Sequence, residues 1–181
     1  RKSDLLSRSG AQAGDAVYVS GTIGDGFLGL QAFGTATGGG GVSAYEAPVP
    51  QLALGQALAG VASACIDVSD GLAADLDHIC RASQVAMEVE AMAVPLSAAG
   101  AAFAQDPEQL GTLLTGGDDY QLAFTVNAEN EPKLKDIGRI TNVALTRIGA
   151  VSQSLEKHYA ARFMDANGAE IVFENRGYTH L

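Results

Sequence analysis

The stretch Ala64 to Cys80, ACIDVSDGLAADLDHIC, constrains the chain more than any other. An apolar run stops at Asp67, a second carboxylate follows at Asp70, and Gly71 opens a segment in which Leu72, Leu76 and Ile79 recur at helical spacing. A strand must therefore hand over to a helix within a few residues, with Asp70 in the position of an N-cap. The apolar stripe of that helix faces a core and leaves Asp75, Asp77 and His78 off it. Such a handover requires a sheet with helices packed against it.

The rest of the chain repeats the alternation. DAVYVSG, from Asp15 to Gly21, has the period of a strand, GTIGDG turns the chain, and FLGLQAFG carries the spacing of a short helix ending at Gly34. TATGGGGVSAYEAPVPQ reads as a flexible loop, and Leu52 to Ser63 as a helix weakened at Gly55 and Gly60. VAMEVE is a strand, Ala98 to Leu114 is helical with an interruption at Pro107, and DYQLAFTV from Asp119 to Val126 is a further strand. A helix opens near Pro132. VALTRIGAVSQS and HYAARFMD are extended, and ANG before AEIVFE signals a hairpin. Interleaved helices and strands with a hairpin-like last third predict an α+β fold of mixed layers, a mixed sheet packed with helices in one domain over 1–181.

Charge narrows the partners. A net charge of −10 with no run of Lys or Arg argues against nucleic acid and against an anionic membrane surface, so an anionic ligand needs a cation between itself and the protein. No long apolar stretch or leader sequence appears, and Cys65 and Cys80 lie in apolar segments without a C-x-x-C pairing; both point to a soluble, cytoplasmic protein with small buried thiols. The opening RKSDLLSRSG begins on Arg and reads as a chain entered part-way, a fragment or processed product.

Three Gly-containing segments carry acidic residues: GTIGDG, DVSDG and TGGDDY. At a helix start, free N–H groups and the dipole favour an anion such as phosphate, and Asp beside phosphate implies Mg²⁺ between them. Each segment also has a plainer reading. DVSDG is equally a turn with Asp70 capping a helix. GTIGDG lacks the Lys-Ser/Thr ending of a P-loop and is more simply a turn, and TGGDDY is a turn before a strand with solvated carboxylates. Spacing leaves open whether the three meet in space. His78, His158 and His180 lack ligand spacing and read as surface or supporting residues, and Ser69 has no nucleophile elbow around it.

RSGAQAGDAVYVSGTIGDG, APVPQLALGQALAGVASACIDVSDGLAADLDHIC, LTGGDDYQLAFTV and the ending GYTHL together resemble, in order, the C-terminal half of the thiamine-monophosphate kinase family, within the aminoimidazole ribonucleotide synthetase-like superfamily. The resemblance covers nearly the whole chain. It implies direct Mg²⁺-assisted transfer of the γ-phosphoryl of ATP to thiamine monophosphate, giving thiamine diphosphate. It implies Asp67 and Asp70 as Mg²⁺ ligands, Arg8 and Ser69 at the nucleotide, and Asp118 and Tyr178 at the substrate, with no catalytic side chain required. It further implies an N-terminal ATP- and Mg²⁺-binding domain outside this chain, a homodimer for the full-length protein, and an inactive isolated fragment.

The family's G-G-E-D-Y-E pattern reads GGDDYQ here, so Asp118 and Gln121 stand where the family carries Glu. The segment YEAPVPQ lacks the basic residues common there in the family. Two alternatives stand beside the kinase: another ATP-using member of the superfamily with a different acceptor, and a ligand-binding module without turnover.

Overall fold

The computed structural model describes residues 5–33, 42–154 and 157–177. Among these, seven strands join in one sheet: β1 Ala16–Ser20, β2 Ala64–Asp67, β3 Ala86–Glu90, β4 Leu122–Val126, β5 Leu145–Ser152, β6 Ala161–Met164 and β7 Glu170–Ile171. The helices are α1 Asp25–Ala32, α2 Val42–Glu46, α3 Leu52–Leu58, α4 Leu72–Ser83, α5 Ala98–Phe103, α6 Pro107–Thr115 and α7 Leu134–Thr141. The strand order is β2-β4-β1-β5-β3-β6-β7, with every neighbour antiparallel except β3 and β6, which run parallel. This is the mixed sheet with helices that the sequence pattern predicts.

Strand alternation sorts the core into two layers. Val17 and Val19 of β1 join Met87, Val89 and Phe163 on one face, where α4 and α6 supply Leu72, Leu76, Ile79, Leu110 and Leu114. On the other face Ala16 and Phe124 meet Leu54 and Leu58 of α3 and Leu134 and Ile137 of α7. Tyr18 stacks on Phe124 there, ring centroids 5.7 Å apart.

Helix α4 shows why its start matters. Leu72, Leu76 and Ile79 are fully buried, each stabilising the fold by about 1.5–3 kcal/mol. Asp75 and Asp77 are buried as well, which the predicted stripe did not anticipate. An uncompensated buried carboxylate costs several kcal/mol, so both must be paired, and both are. Gly71 sits at φ 115°, and a Cβ there would come within 2.5 Å of the Thr115 carbonyl oxygen, so only Gly fits the turn.

Several boundaries depart from expectation for identifiable reasons. Gly71, not Asp70, is the N-cap of α4, and Asp70 makes no side-chain cap bond. Helix α3 stops at Leu58 because Gly60 turns the chain at φ 75°, with Val61 and Ala62 N–H groups both closing on the Leu58 carbonyl. Strand β4 begins only at Leu122, the preceding residues being diverted into the site below. Part of the expected loop after Gly34 is helical: α2 brings Tyr45 edge-to-face onto Phe33, centroids 5.7 Å apart. The Gly-rich residues 34–41 lie outside the described residues. Among the described residues no helix is long and apolar enough to cross a membrane.

Candidate functional site

The three acidic turns do meet. TGGDDY lies against DVSDG through backbone bonds: Asp118 N–H donates to the Ser69 carbonyl at 2.9 Å, Tyr120 N–H to Val68 at 2.8 Å, and Val68 N–H to Gln121 at 2.8 Å. It meets GTIGDG through Asp119, whose two carboxylate oxygens accept the N–H groups of Gly24 and Gly26 at 2.8 and 2.9 Å. The backbone is left-handed on both sides of Asp119, with φ 70° at Asp118 and 50° at Tyr120. Such a conformation costs about 1–2 kcal/mol for a residue with a side chain. Its effect is to separate two adjacent carboxylates, Asp119 buried and Asp118 lining a cleft.

The N–H groups at the start of α1 are held by the protein's own Asp119, so GTIGDG is the turn its sequence suggests and not a phosphate cradle. One expectation is corrected: the paired Asp residues of TGGDDY are not both solvated. Burial pushes the Asp119 carboxyl up to about 7, against the opposing pull of the Gly24 and Gly26 N–H groups.

At the start of α4 the capping relation is reversed. The Asp75 carboxylate reaches back to accept the N–H groups of Ser69 at 3.0 Å and Asp70 at 3.1 Å. The Asp70 side chain is thereby left facing the clefts. Burial pushes Asp75 up to about 6, the two N–H donors oppose the rise, and the charges of Asp70 and Asp67 add to it.

Arg8 arrives from the opposite direction. Ser83, at the end of α4, donates to the Arg8 carbonyl at 3.3 Å and accepts the N–H groups of Gly10 and Ala11, while Cys65 N–H donates to the Ser7 carbonyl at 2.8 Å. This segment brings Arg8 to a cleft of about 550 Å³ lined also by Asp67, Ser69, Asp70, Asp75 and His78. A second cleft of about 760 Å³ shares Ser69 and Asp70 and adds Asp118, Phe27, Tyr45 and Tyr120. The Tyr120 hydroxyl donates to Asp118 at 3.2 Å, a bond that raises the phenol's pKa.

Arg8, Asp67, Ser69, Asp70 and Asp118 therefore surround two adjoining clefts that meet at Ser69 and Asp70. Tyr178 lies outside the described residues. Gln121 makes a sheet contact, accepting the Ser20 hydroxyl at 2.7 Å. Sequence reasoning placed Asp75 off the apolar stripe without a role and read His78 as a surface or supporting residue; with Asp70 the two offer ligand atoms within 4.8 Å of one another. The available signal was their separation of three residues, which places them on one side of a helix. His78 is held below its ordinary pKa by burial and then by Arg81 and Arg8.

The carboxylate donors Asp67 and Asp70 are hard oxygen ligands, the type that suits Mg²⁺, and Arg8 is the complementary cation for phosphate.

Residues 12–157 match the family described as AIR synthase related protein, C-terminal domain. The chain is 38% identical over 184 residues to a thiamine-monophosphate kinase of Salmonella typhimurium, covering 97% of this chain and 55% of that protein. A crystal structure of thiamine-monophosphate kinase from Stenotrophomonas maltophilia superposes with a TM-score of 0.79 at 33% identity, over 90% of this chain and 54% of that one. The structure of AaThiL complexed with AMPPCP and TMP superposes with a TM-score of 0.74 at 25% identity, over 96% of this chain and 54% of that one. The chain thus spans about half the length of the curated relatives it matches.

Proposed function

Since the chain belongs to the AIR synthase related protein family through its C-terminal domain, we propose that it is the C-terminal half of a thiamine-monophosphate kinase. An N-terminal domain would complete the ATP and Mg²⁺ sites, and the full-length protein would be a homodimer. The observation that carries this reading is the meeting of DVSDG and TGGDDY around two adjoining clefts, with GTIGDG bound to TGGDDY through Asp119, in a chain resembling such kinases along nearly its whole length.

The reaction forms a bond between an oxygen of the thiamine monophosphate phosphate and the γ-phosphorus of ATP. The bond from that phosphorus to the bridging oxygen breaks and ADP leaves. The acceptor is already an anionic nucleophile, so positioning and charge compensation dominate and no side-chain base is needed. The chain's residues divide the work accordingly. Arg8 pairs with nucleotide phosphate, Ser69 offers its hydroxyl and backbone at the junction of the clefts, and Asp118, braced by Tyr120, faces the acceptor. Tyr178 is assigned to the acceptor by family resemblance alone.

Asp67 and Asp70 would hold Mg²⁺, which supplies the positive charge that lets two phosphate groups approach a carboxylate-lined surface. The same reading puts the protein in the cytoplasm, where ATP is at hand and the free, buried Cys65 and Cys80 stay reduced. The net charge of −10 weighs against nucleic acid and anionic membranes as partners.

The test uses the full-length protein with ATP, Mg²⁺ and thiamine monophosphate, following products by chromatography. Thiamine diphosphate and ADP are expected in equal amounts; ADP without thiamine diphosphate, or neither, would overturn the acceptor assignment.

A further inference from the structure

One buried charge on α4 has no part in the reaction as described. Asp77 is 5% exposed and lies on the helix that begins at the acidic turn. It accepts the Ala161 N–H at 2.9 Å at the start of β6, and it receives the Arg176 guanidinium in a fork, Nε at 2.7 Å and a terminal nitrogen at 3.1 Å. That terminal nitrogen also donates to the Ala161 carbonyl at 2.5 Å, and Arg81 stands 3.8 Å from the same carboxylate. A bidentate pair of this kind fixes direction as well as distance.

What the fork fixes is the chain that follows β7. Phe173 packs edge-to-face on Phe163 with centroids 5.2 Å apart, and the Arg176 guanidinium lies 5.6 Å above the Phe173 ring. One residue further, Gly177 is pressed against the helix start. A Cβ on it would meet the Ala74 side chain at 2.5 Å and the Asp70 carbonyl oxygen at 2.6 Å. Asp77 and Ala74 are one turn apart on α4, so the segment runs along one flank of the helix from its middle to the acidic turn. Asn175 and Gly177 then line the same cleft as Ser69, Asp70 and Asp118.

We propose that the Asp77–Arg176 pair is a positioning device for the acceptor cleft: it clamps residues 175–177 against the Asp70 turn and so sets the affinity for the acceptor without touching it. This rests on the kinase reading for the identity of the acceptor, and on geometry alone for the clamp. Ala161 is held by the same pair, so the sheet edge at β6 and the wall of the cleft share one anchor. A displacement at Arg176 reaches the cleft through Gly177, where no space is left to absorb it.

The experiment compares the full-length enzyme with Arg176→Met, Arg176→Lys and Gly177→Ala. Arg176→Met should raise KM for thiamine monophosphate about tenfold while KM for ATP stays within about twofold, because residues 175 and 177 line the cleft of Asp118 and not the cleft of Arg8. Arg176→Lys, which keeps the charge and loses the fork, should fall between. Gly177→Ala should reproduce the Met variant with the ion pair intact. Hydrogen exchange read in parallel should quicken at residues 70–74 in the Met variant and not at β1 or β4. Unchanged KM for the acceptor, or equal rises for both substrates with a lowered Tm, would reduce the pair to a structural brace and overturn the proposal. Should the wild type form no thiamine diphosphate, the kinase reading falls, and the exchange at residues 70–74 still decides the clamp: quickened supports it, unchanged overturns it.

Discussion

The turns at Gly21–Gly26 and at Asp67–Leu72 look alike in sequence, each leading from a strand through Gly and Asp to a helix, yet they do opposite things. At the first, a carboxylate 95 residues away closes the helix start: Asp119 accepts the Gly24 and Gly26 N–H groups, and the turn becomes part of the core. At the second, a carboxylate from inside the helix does the closing. Asp75 takes the Ser69 and Asp70 N–H groups, and Asp67 and Asp70 are left facing the clefts. In both turns another carboxylate takes the N–H groups; what differs is that Asp25 of the first turn is itself bound by the Thr22 and Ser97 hydroxyls, whereas Asp67 and Asp70 of the second are left facing the clefts. The difference teaches that an acidic turn becomes a site only when its own acids stay free.

The sharpest way to break this comparison is to neutralise Asp67 of the second turn and, separately, Asp119, the acid that closes the first. On the kinase reading proposed above, Asp67→Asn in the full-length protein should lower kcat about a thousandfold or more, since a metal-held phosphoryl group would draw several kcal/mol of stabilisation from its ligands. Its Tm should barely move, because Asp67 is exposed and packs against little. Steady-state kinetics beside thermal melting would show both, and a rate near wild type would make Asp67 merely architectural.

Asp119→Ala should show the reverse pattern. It leaves the Gly24 and Gly26 N–H groups without their acceptor, a loss of about 2–6 kcal/mol at about 1–3 kcal/mol for each buried unpaired group. Urea unfolding measures it, and an unchanged midpoint would mean that water replaces the carboxylate at no cost. Next in size is the response to Mg²⁺. A ligand bound only by the folded state stabilises by about 2.7 kcal/mol at a hundredfold excess over Kd. Mg²⁺ should therefore raise the Tm of the full-length protein by several degrees, an effect lost in Asp67→Asn and retained in Asp119→Asn.

A further expected effect is on pH dependence. The Asp119 carboxyl is raised to about 7 from an ordinary value of 3.8, so between these values the folded protein keeps a proton that the unfolded chain has released. Stability from this group therefore falls as pH rises from about 4 to about 7 and is level above that. Urea midpoints across the window should fall less steeply in Asp119→Asn. A slope unchanged in that variant would assign the titration to Asp75, raised to about 6, and so to the other turn.

Much of the scaffold was legible because it is local. The stripe Leu72, Leu76, Ile79 and the alternation of Val17 with Val19 carry the 3.6 and 2 periods on which burial depends, and both proved to be core. The hairpin at ANG followed from turn chemistry and joins β6 to β7. Helix α2 was missed because five residues after a Gly run are too few to display a period. Within the site, Arg8, Asp67, Ser69, Asp70 and Asp118 came from family resemblance, and the fold gathers all five around the two clefts. Asp75 and His78 were given no ligand role although their spacing was in view, because the same spacing suits a solvated helix face.

By itself the sequence determined most of the strands and helices, that the sheet is mixed, and that its acids cluster in three Gly-containing turns. Only the tertiary structure decided which acid of each turn goes inward. Asp118 and Asp119 are neighbours with the same side chain, and nothing within a few residues distinguishes them. What separates them is the presence of unpaired N–H groups at Gly24 and Gly26, brought close by the pairing of β1 with β4. A buried donor demands an acceptor from whichever segment lies nearest in space, and that proximity is set by the packing of the whole sheet.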